Sequence, residues 1–114
     1  MMPFIIFTSS DIAQSANITR QVLSFYYGWY GNVAMSGRWV HWRDIDPGTE
    51  HIGDATDFPE YGAYDSHDPA LIERQVVAAR TAGITGFIAS WWGQGGFEDK
   101  GVPLLLEAAT ALLR

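Results

Sequence analysis

The chain has 114 residues, of which 47% are hydrophobic and 18% charged, a composition typical of a folded globular domain rather than a disordered or fibrous segment. Its formal charge of −6, with one Lys and six Arg, repels phosphate backbones and anionic lipid, so nucleic acid and membrane surfaces are poor partners. The sequence contains no cysteine, which excludes disulfides and thiolate metal sites.

Residues 1–21 are predicted to form a polar tail or extension, and residues 22–114 the folded part of the chain. The apolar run over residues 1–7 is much shorter than the ~20 residues that a membrane-spanning helix needs. It also lacks the basic start of a signal peptide. Residues 8–21 are polar and show no strand or helix period. We therefore expect no targeting segment, and the sequence does not indicate a compartment.

The first predicted element is a buried strand over residues 22–27, which are rich in β-formers and are followed by Gly28. Residues 30–67 then show no helical or strand period. They contain many glycines and prolines and most of the acidic residues. A connection this long is uncommon in a compact domain, and where one occurs it is usually functional or disordered.

The next predicted element is a helix with clear signals at both ends. Asp68 is a good N-cap, Pro69 suits the first helical position, and Gly83 suits the residue that follows the last turn. One apolar stripe with steps of three and four residues lies between them. Its members are Leu71, Ile72, Val76, Ala79 and Ala82.

A second strand and a second helix complete the pattern. Residues 84–90 predict a buried strand, residues 91–96 a turn, and the apolar residues from about Val102 to Arg114 a helix. Strand, loop, helix, strand, loop and helix in this order predict parallel strands joined by a right-handed crossover. Helices on the faces of a parallel sheet explain why both strand runs are apolar almost throughout. The predicted fold class is α/β.

Unusual aromatic segments leave both predicted strands at the same edge. Residues 27–32 follow the first strand, and Trp91 and Trp92 follow the second. Ligands of parallel α/β folds bind at the carboxyl ends of the strands, where the loops converge. Rings beside polar groups suit a sugar, which presents apolar C–H patches and hydroxyls together. The polar groups available at this rim are Asn32, His41, Asp65 and Ser90.

Several of these residues also have a simpler interpretation. Phe25 and Tyr26 lie within a strand run and are expected to belong to the core. A single loop histidine such as His41 is usually just solvated. Trp91 and Trp92 favour a site, because they are next to glycines at a strand end.

The acidic residues between Asp44 and Asp68 raise the question of a metal site. The pattern that starts at Asp44 resembles a calcium loop only loosely. Thr49 stands where the loop requires glycine, and Ala55 stands where it requires glutamate. The acids are therefore interpreted as a solvated loop, and no metal site is predicted.

Four blocks of the sequence resemble glycoside hydrolase family 99, the endo-α-mannosidase family. They are residues 25–32 (FYYGWYGN), 37–42 (GRWVHW), 58–69 (FPEYGAYDSHDP) and 82–93 (AGITGFIASWWG), within a similarity that covers about residues 22–114. The resemblance implies a (β/α)8 (TIM) barrel, of which this chain would supply the first two βα units. It also implies cleavage of internal α-mannosidic linkages with retention and with no metal or other cofactor.

The resemblance further implies which residues bind the sugar. Tyr30 and His41 match residues that line the sugar site of the family. Trp91, or alternatively Trp92, matches a tryptophan that carries a neighbouring sugar. Asn32 completes the predicted substrate-binding set, although Val33 departs from the proline that commonly follows this Asn in the family.

No catalytic residue is predicted in this chain. A glycosidase needs two carboxyl groups that flank one bond. The two working glutamates of the family lie on later strands, and nothing in this sequence matches them. The chain is therefore expected to be a fragment of a retaining endo-α-mannosidase-like hydrolase that contributes part of the sugar-binding site and is inactive alone.

The alternative is a non-catalytic carbohydrate-binding or remnant protein that self-associates. Two parallel strands would leave both sheet edges open and expose apolar faces. The expected partner is an α-mannoside-like oligosaccharide, with no nucleic acid and no membrane, whereas failure to bind any glycan together with self-association through the open sheet edges would indicate the remnant. The chain by itself is expected to be marginally stable or to associate.

Overall fold

The computed structural model describes residues 3–6 and 20–111 of the chain. Most of the predicted tail and the end of the last predicted helix, residues 112–114, lie outside the described residues. The described elements are β1 (Phe4–Ile6), β2 (Leu23–Tyr26), α1 (Val33–Ser36), α2 (Pro69–Thr81), β3 (Gly86–Ala89) and α3 (Phe97–Ala111).

The strands form one three-stranded mixed sheet in the order β1-β3-β2. β2 and β3 are parallel, with Phe25 opposite Ile88, as the predicted crossover through α2 requires. β1 is antiparallel to β3 and places Phe4 opposite the same Ile88. β1 was not predicted from the sequence, because three residues are too few to show a period. The expectation that both edges of the parallel pair are open is wrong, because β1 covers the edge of β3.

The predicted signals at the ends of α2 are confirmed. The Asp68 side chain accepts a hydrogen bond from the Ala70 N–H at 3.0 Å, and Pro69 occupies the first helical position. Gly83 follows the helix with a φ of 84°, a left-handed conformation that suits glycine. Four residues of the predicted stripe are buried, namely Leu71, Ile72, Val76 and Ala79. The last three belong to the core cluster with residues of the sheet and α3. Ala82, the fifth predicted member, is exposed.

α3 begins at Phe97, five residues before the predicted start near Val102. Gly101 and Pro103 lie inside this helix and obscured it in the sequence, because both are poor helix formers and Pro103 has no N–H to donate. Glu98 and Asp99 lie in the first turn, where negative charge stabilises a helix.

The core lies between the sheet and the two long helices. Phe87 of β3 is 4% exposed and its ring lies 5.0 Å from that of Tyr26, whose hydroxyl donates to the Gln75 side chain at 2.6 Å. Burial, and next the neighbouring Tyr64, raise the pKa of the Tyr26 phenol above its ordinary value of 10.0. The buried cluster contains Ile5, Ile72, Val76, Ala79, Phe87, Ala89, Leu105 and Ala109.

The opposite face of the sheet is apolar and exposed among the described residues. Leu23, Phe25 and Phe4 are 37%, 59% and 51% exposed. The register of the strands places them on the face away from Phe87. The assignment of Tyr26 to the core is thus confirmed, and that of Phe25 is wrong. The class is α/β as predicted, with only one face of its sheet covered by the described helices.

Candidate functional site

Tyr30 is fixed at the carboxyl end of β2 by its backbone and by its ring. Its N–H donates to the Ser66 hydroxyl at 3.1 Å, and its carbonyl accepts from the Ser66 N–H at 2.7 Å. Its ring lies 4.3 Å from that of Trp42 and 5.6 Å from that of Tyr64. The Trp42 indole N–H donates to the Tyr64 carbonyl at 2.9 Å, so all three rings are held together. We call these three residues the Tyr30 cluster.

His41 lies beside the Tyr30 cluster, although it is eleven residues further along the chain than Tyr30. Gly31 and Val40 form an isolated bridge with two backbone hydrogen bonds, of 3.1 and 3.0 Å. His41 follows the bridge with a φ of 59°, a left-handed conformation that is uncommon for a residue with a side chain. Its ring stacks on Trp29 at 4.7 Å and meets Tyr30 edge-on at 6.4 Å. The exposed imidazole is therefore held at the rim beside Tyr30.

Gly31 allows this close approach. A Cβ atom on residue 31 would lie 2.9 Å from the Val40 Cγ2 atom and 3.0 Å from the Phe97 Cζ atom. Real Cβ atoms essentially never come as near as the first of these distances. The absence of a side chain at Gly31 thus brings together the end of β2, the segment before His41 and the start of α3.

A continuous aromatic stack leads from the exposed sheet face to the rim. The ring centroids of Phe25 and Tyr27 are 6.3 Å apart, those of Tyr27 and Trp29 4.9 Å, and those of Trp29 and His41 4.7 Å. Among the described residues, the buried Trp29 indole N–H has no hydrogen-bond acceptor. The stack lines one side of the rim with ring faces and edges.

Asn32 has a structural role in this arrangement. Its side-chain oxygen accepts from the Met35 N–H at 2.9 Å and caps α1. Its side-chain amide donates to the Ala63 carbonyl at 3.2 Å. One N–H and one lone pair of the Asn32 side chain remain for a ligand.

Trp91 and Trp92 leave β3 in different environments. Trp92 is 75% exposed, and its indole N–H donates to the Ser90 hydroxyl at 3.0 Å. Trp91 is half-buried, and its indole N–H donates to the Asp99 carboxylate at 2.8 Å. Hydrogen bonds from the Gly95 N–H and then from this indole lower the pKa of Asp99 below its ordinary value. Of the two tryptophans, Trp92 offers the accessible ring face.

The two aromatic groups share one rim without direct ring contact. The Ser90 N–H donates to the Tyr26 carbonyl at 2.9 Å, so the ends of the two strands are adjacent. Within the described residues, no ring contact joins Trp91 or Trp92 to Tyr30 or His41. The structure thus brings Tyr30, Asn32 and His41 together and leaves the tryptophans beside them.

Asp65 and Ser90 are buried and are not exposed sugar contacts as the sequence analysis had considered. Asp65 is 1% exposed, and its carboxylate accepts hydrogen bonds from Asn32, Ser36 and His67. Ser90 is 5% exposed and accepts from Trp92. Both act on neighbouring groups of the rim. The resemblance of residues 58–69 pointed to this segment without showing that its polar atoms face inward.

The part of the chain that the structure describes contains no group of three or more His, Asp or Glu residues arranged to hold a metal ion. In the same residues, no helix has the length and apolar character needed to span a membrane. Burial, and then the neighbouring Tyr30, raise the pKa of Tyr64 to about 12, so the Tyr64 phenol is neutral at ordinary pH.

Comparison with known proteins identifies relatives of this sequence. The family model described as glycosyl hydrolase family 99 matches residues 17–113. Mouse glycoprotein endo-α-1,2-mannosidase is 32% identical over 75% of this chain, and human glycoprotein endo-α-1,2-mannosidase-like protein is 28% identical over 79%. The aligned part is 23% of the length of each of these relatives. The chain therefore spans about a quarter of the curated relatives that it matches.

Solved structures of this kind also match the fold. The family 99 endo-α-mannosidase of Bacteroides thetaiotaomicron, in complex with bis-tris-propane, superposes with a TM-score of 0.67 and 33% identity. The match covers 80% of this chain and 26% of that one. A second structure of the enzyme from this organism gives a TM-score of 0.63 and 32% identity.

Proposed function

The chain belongs to glycosyl hydrolase family 99, and from this membership we propose that its rim binds an α-mannoside oligosaccharide as part of a retaining endo-α-mannosidase. One observation carries the proposal. Tyr30 and His41 lie together at the end of β2, and Trp91 and Trp92, of which Trp91 or alternatively Trp92 resembles the tryptophan of the family, follow β3 at the same rim.

We further propose that β2–α2 and β3–α3 are the first two units of a (β/α)8 barrel. The exposed face with Phe4, Leu23 and Phe25 supports this proposal, because the interior of such a barrel is filled with apolar side chains. The helices of the chain pack on the other face, where the outer ring of the barrel belongs.

The chemistry of the rim suits a sugar. The exposed Trp92 indole offers a flat apolar surface to sugar C–H groups. The Tyr30 hydroxyl has no hydrogen-bond partner among the described residues, and the His41 imidazole is exposed, so both can bond to sugar hydroxyls. These groups bind and orient the sugar.

The acidic residues of the chain do not supply the chemistry in this proposal. Glu60 is exposed in a loop and Glu73 is exposed on α2. Glu98 accepts a hydrogen bond from the Trp92 N–H at 3.2 Å. Retaining glycosidases use two carboxyl groups about 5–5.5 Å apart across one bond. We therefore propose that residues 1–114 bind the oligosaccharide without hydrolysing it.

Calorimetric titration with α-1,2-linked mannobiose tests the proposed binding. We expect saturable binding that Trp92→Ala weakens about tenfold or more. A tenfold weaker binding corresponds to a loss of about 1.4 kcal/mol of binding free energy. Leu106→Ala is the control, because Leu106 is a 46% exposed side chain of α3 that lies beyond the first turn of this helix and outside the aromatic stack and the Tyr30 cluster. Absence of binding, or an equal loss in both variants, would overturn the proposal. Cleavage of a longer α-mannoside into shorter oligosaccharides would contradict the non-catalytic part.

A second candidate function is self-association through the sheet. The exposed Phe4, Leu23 and Phe25 form an apolar surface of the kind that interaction sites use. Sedimentation velocity over a range of concentrations distinguishes the two candidates. Dimers that Phe25→Ser disperses favour association, whereas a monomer that binds mannobiose favours the sugar site alone.

A further inference from the structure

Asp65 and Ser66 are buried polar residues with no exposed role. They are 1% and 4% exposed, and the described residues place no cation against the Asp65 carboxylate. A buried charge is costly unless hydrogen bonds compensate it. The compensation comes from the backbone N–H groups of Asn32 and His67, both at 2.9 Å, and from the Ser36 hydroxyl. The Asp65 carboxylate thereby joins two segments of the chain, residues 32–36 around α1 and residues 65–67 before α2.

The same two residues hold the backbone that carries the Tyr30 ring. Ser66 both donates to and accepts from the backbone of Tyr30, and Asp65 accepts from the backbone of Asn32. Gly31, between them, is bonded on its other side to Val40. The backbone of residues 30–32 is thus held by hydrogen bonds on both sides, which sets the direction of the Tyr30 ring.

His67 extends this connection to α3. Its ring stacks on Phe97 with centroids 4.0 Å apart, and its Nε2 atom lies 2.7 Å from the Phe97 carbonyl oxygen. An imidazole with its proton on Nε2 donates that hydrogen bond. Phe97 opens the helix whose first turn also contains Glu98 and Asp99, the partners of the two rim tryptophans.

We propose that Asp65, Ser66 and His67 are positioning residues, which fix the Tyr30 cluster and the Trp91–Trp92 turn relative to each other so that both contact one oligosaccharide. They act through Tyr30 and Phe97, because their own polar atoms are bonded within the protein. This inference rests on the proposed sugar-binding function. It states that residues 65–67 set the distance between the Tyr30 cluster and the Trp91–Trp92 turn.

The test combines sugar affinity with the indole N–H signals in a ¹⁵N-resolved NMR spectrum of the full chain. Ser66→Ala removes the acceptor of the Tyr30 N–H. We expect it to weaken mannobiose binding about tenfold, because a Tyr30 that is no longer held in place has to be ordered when the sugar binds. We expect Ser66→Ala to move the Trp42 signal, because Tyr30 lies against that indole. Ser66→Thr retains the hydroxyl and should restore both.

Asp65→Asn has a wider expected effect. Its carboxylate also orders His67, so the signal of Trp91 on the α3 side should move together with that of Trp42. Asp57→Asn is the control, since it makes the same change at an exposed position of the same long loop. All variants are measured below their unfolding temperatures.

The outcomes separate the inference from the function on which it rests. If Ser66→Ala and Asp65→Asn lower only the unfolding temperature and leave affinity and indole signals unchanged, the residues are structural and the inference fails. An equal effect of Asp57→Asn would overturn it as well. If the wild-type chain binds no mannobiose, the proposed function fails, and the indole signals still decide whether the tripeptide couples the two parts.

Discussion

Replacement of Gly31 by alanine tests the packing that assembles the rim. The new Cβ atom would lie 2.9 Å from the Val40 Cγ2 atom, 3.0 Å from Phe97 Cζ and 3.1 Å from Val40 Cβ. Carbon atoms in contact normally stay at about 3.5–4.0 Å. The overlap with Val40 alone is therefore about 0.6 Å or more. Either the bridge to Val40 or the Phe97 ring has to move.

The expected cost follows from this overlap. Overpacking by one methyl group in a well-packed region costs about 1–3 kcal/mol. For a domain of this size, 1 kcal/mol corresponds to a change of roughly 4–8 °C in Tm. Because Val40 precedes His41 and Phe97 stacks on His67, the strain should also disturb the His41–Trp29 stack.

Urea unfolding of Gly31→Ala and of a control variant measures the effect. Gly37→Ala is suitable as the control, because no atom lies within 4 Å of its added Cβ and its cost comes only from a φ of 76°. Gly31→Ala should cost less in a Val40→Ala background, where part of the clash is removed. A Gly31→Ala chain with unchanged free energy of unfolding and an unchanged NMR signal of the Trp29 indole N–H would contradict this prediction.

Three further predictions concern the core and the titrating groups. Val76→Ala removes a side chain that is 0% exposed and should destabilise the chain by about 1–3 kcal/mol in urea unfolding, whereas Val77→Ala, at 44% exposure, should change the free energy of unfolding by less than about 0.5 kcal/mol. The pKa of Asp99 is lowered, so its contribution to stability should be complete above its ordinary pKa of 3.8 and should be lost as pH falls through the lower pKa of the folded state. The NMR signal of the Trp91 indole N–H follows this loss, and Trp91→Phe should raise the pKa of Asp99. The pKa of Tyr64 is raised to about 12, so its contribution to stability should be complete below pH 10.0 and lost as pH rises through 12. Ultraviolet titration in which Tyr64 ionises at its ordinary pKa of 10.0 would contradict this.

Local signals were sufficient to predict the central elements. The start of α2 is marked by Asp68 and Pro69 and its end by Gly83, all within a few residues of the helix. The apolar runs on either side of α2 likewise indicate the two parallel strands β2 and β3. β1 was missed because its pairing with β3 joins residues about eighty positions apart. No local pattern of three residues can indicate such a partner.

The site was predictable as a set of residues, not as an arrangement. The sequence indicated both Trp91 and Trp92, and which indole is exposed depends on a hydrogen bond to Asp99. His41 reaches Trp29 only through the Gly31–Val40 bridge and a left-handed φ. These contacts are tertiary, and residue type alone does not specify them.

The most direct test of the account is a titration of the ¹⁵N-labelled chain with α-1,2-linked mannobiose, observed at the indole N–H signals of its five tryptophans. The proposed sugar site predicts that the Trp92 indole signal moves in a saturable way, while the backbone N–H signal of Leu106, in α3 beyond its first turn, does not. If no indole signal moves, or if the Leu106 signal moves as much as that of Trp92, the rim described here does not bind the sugar.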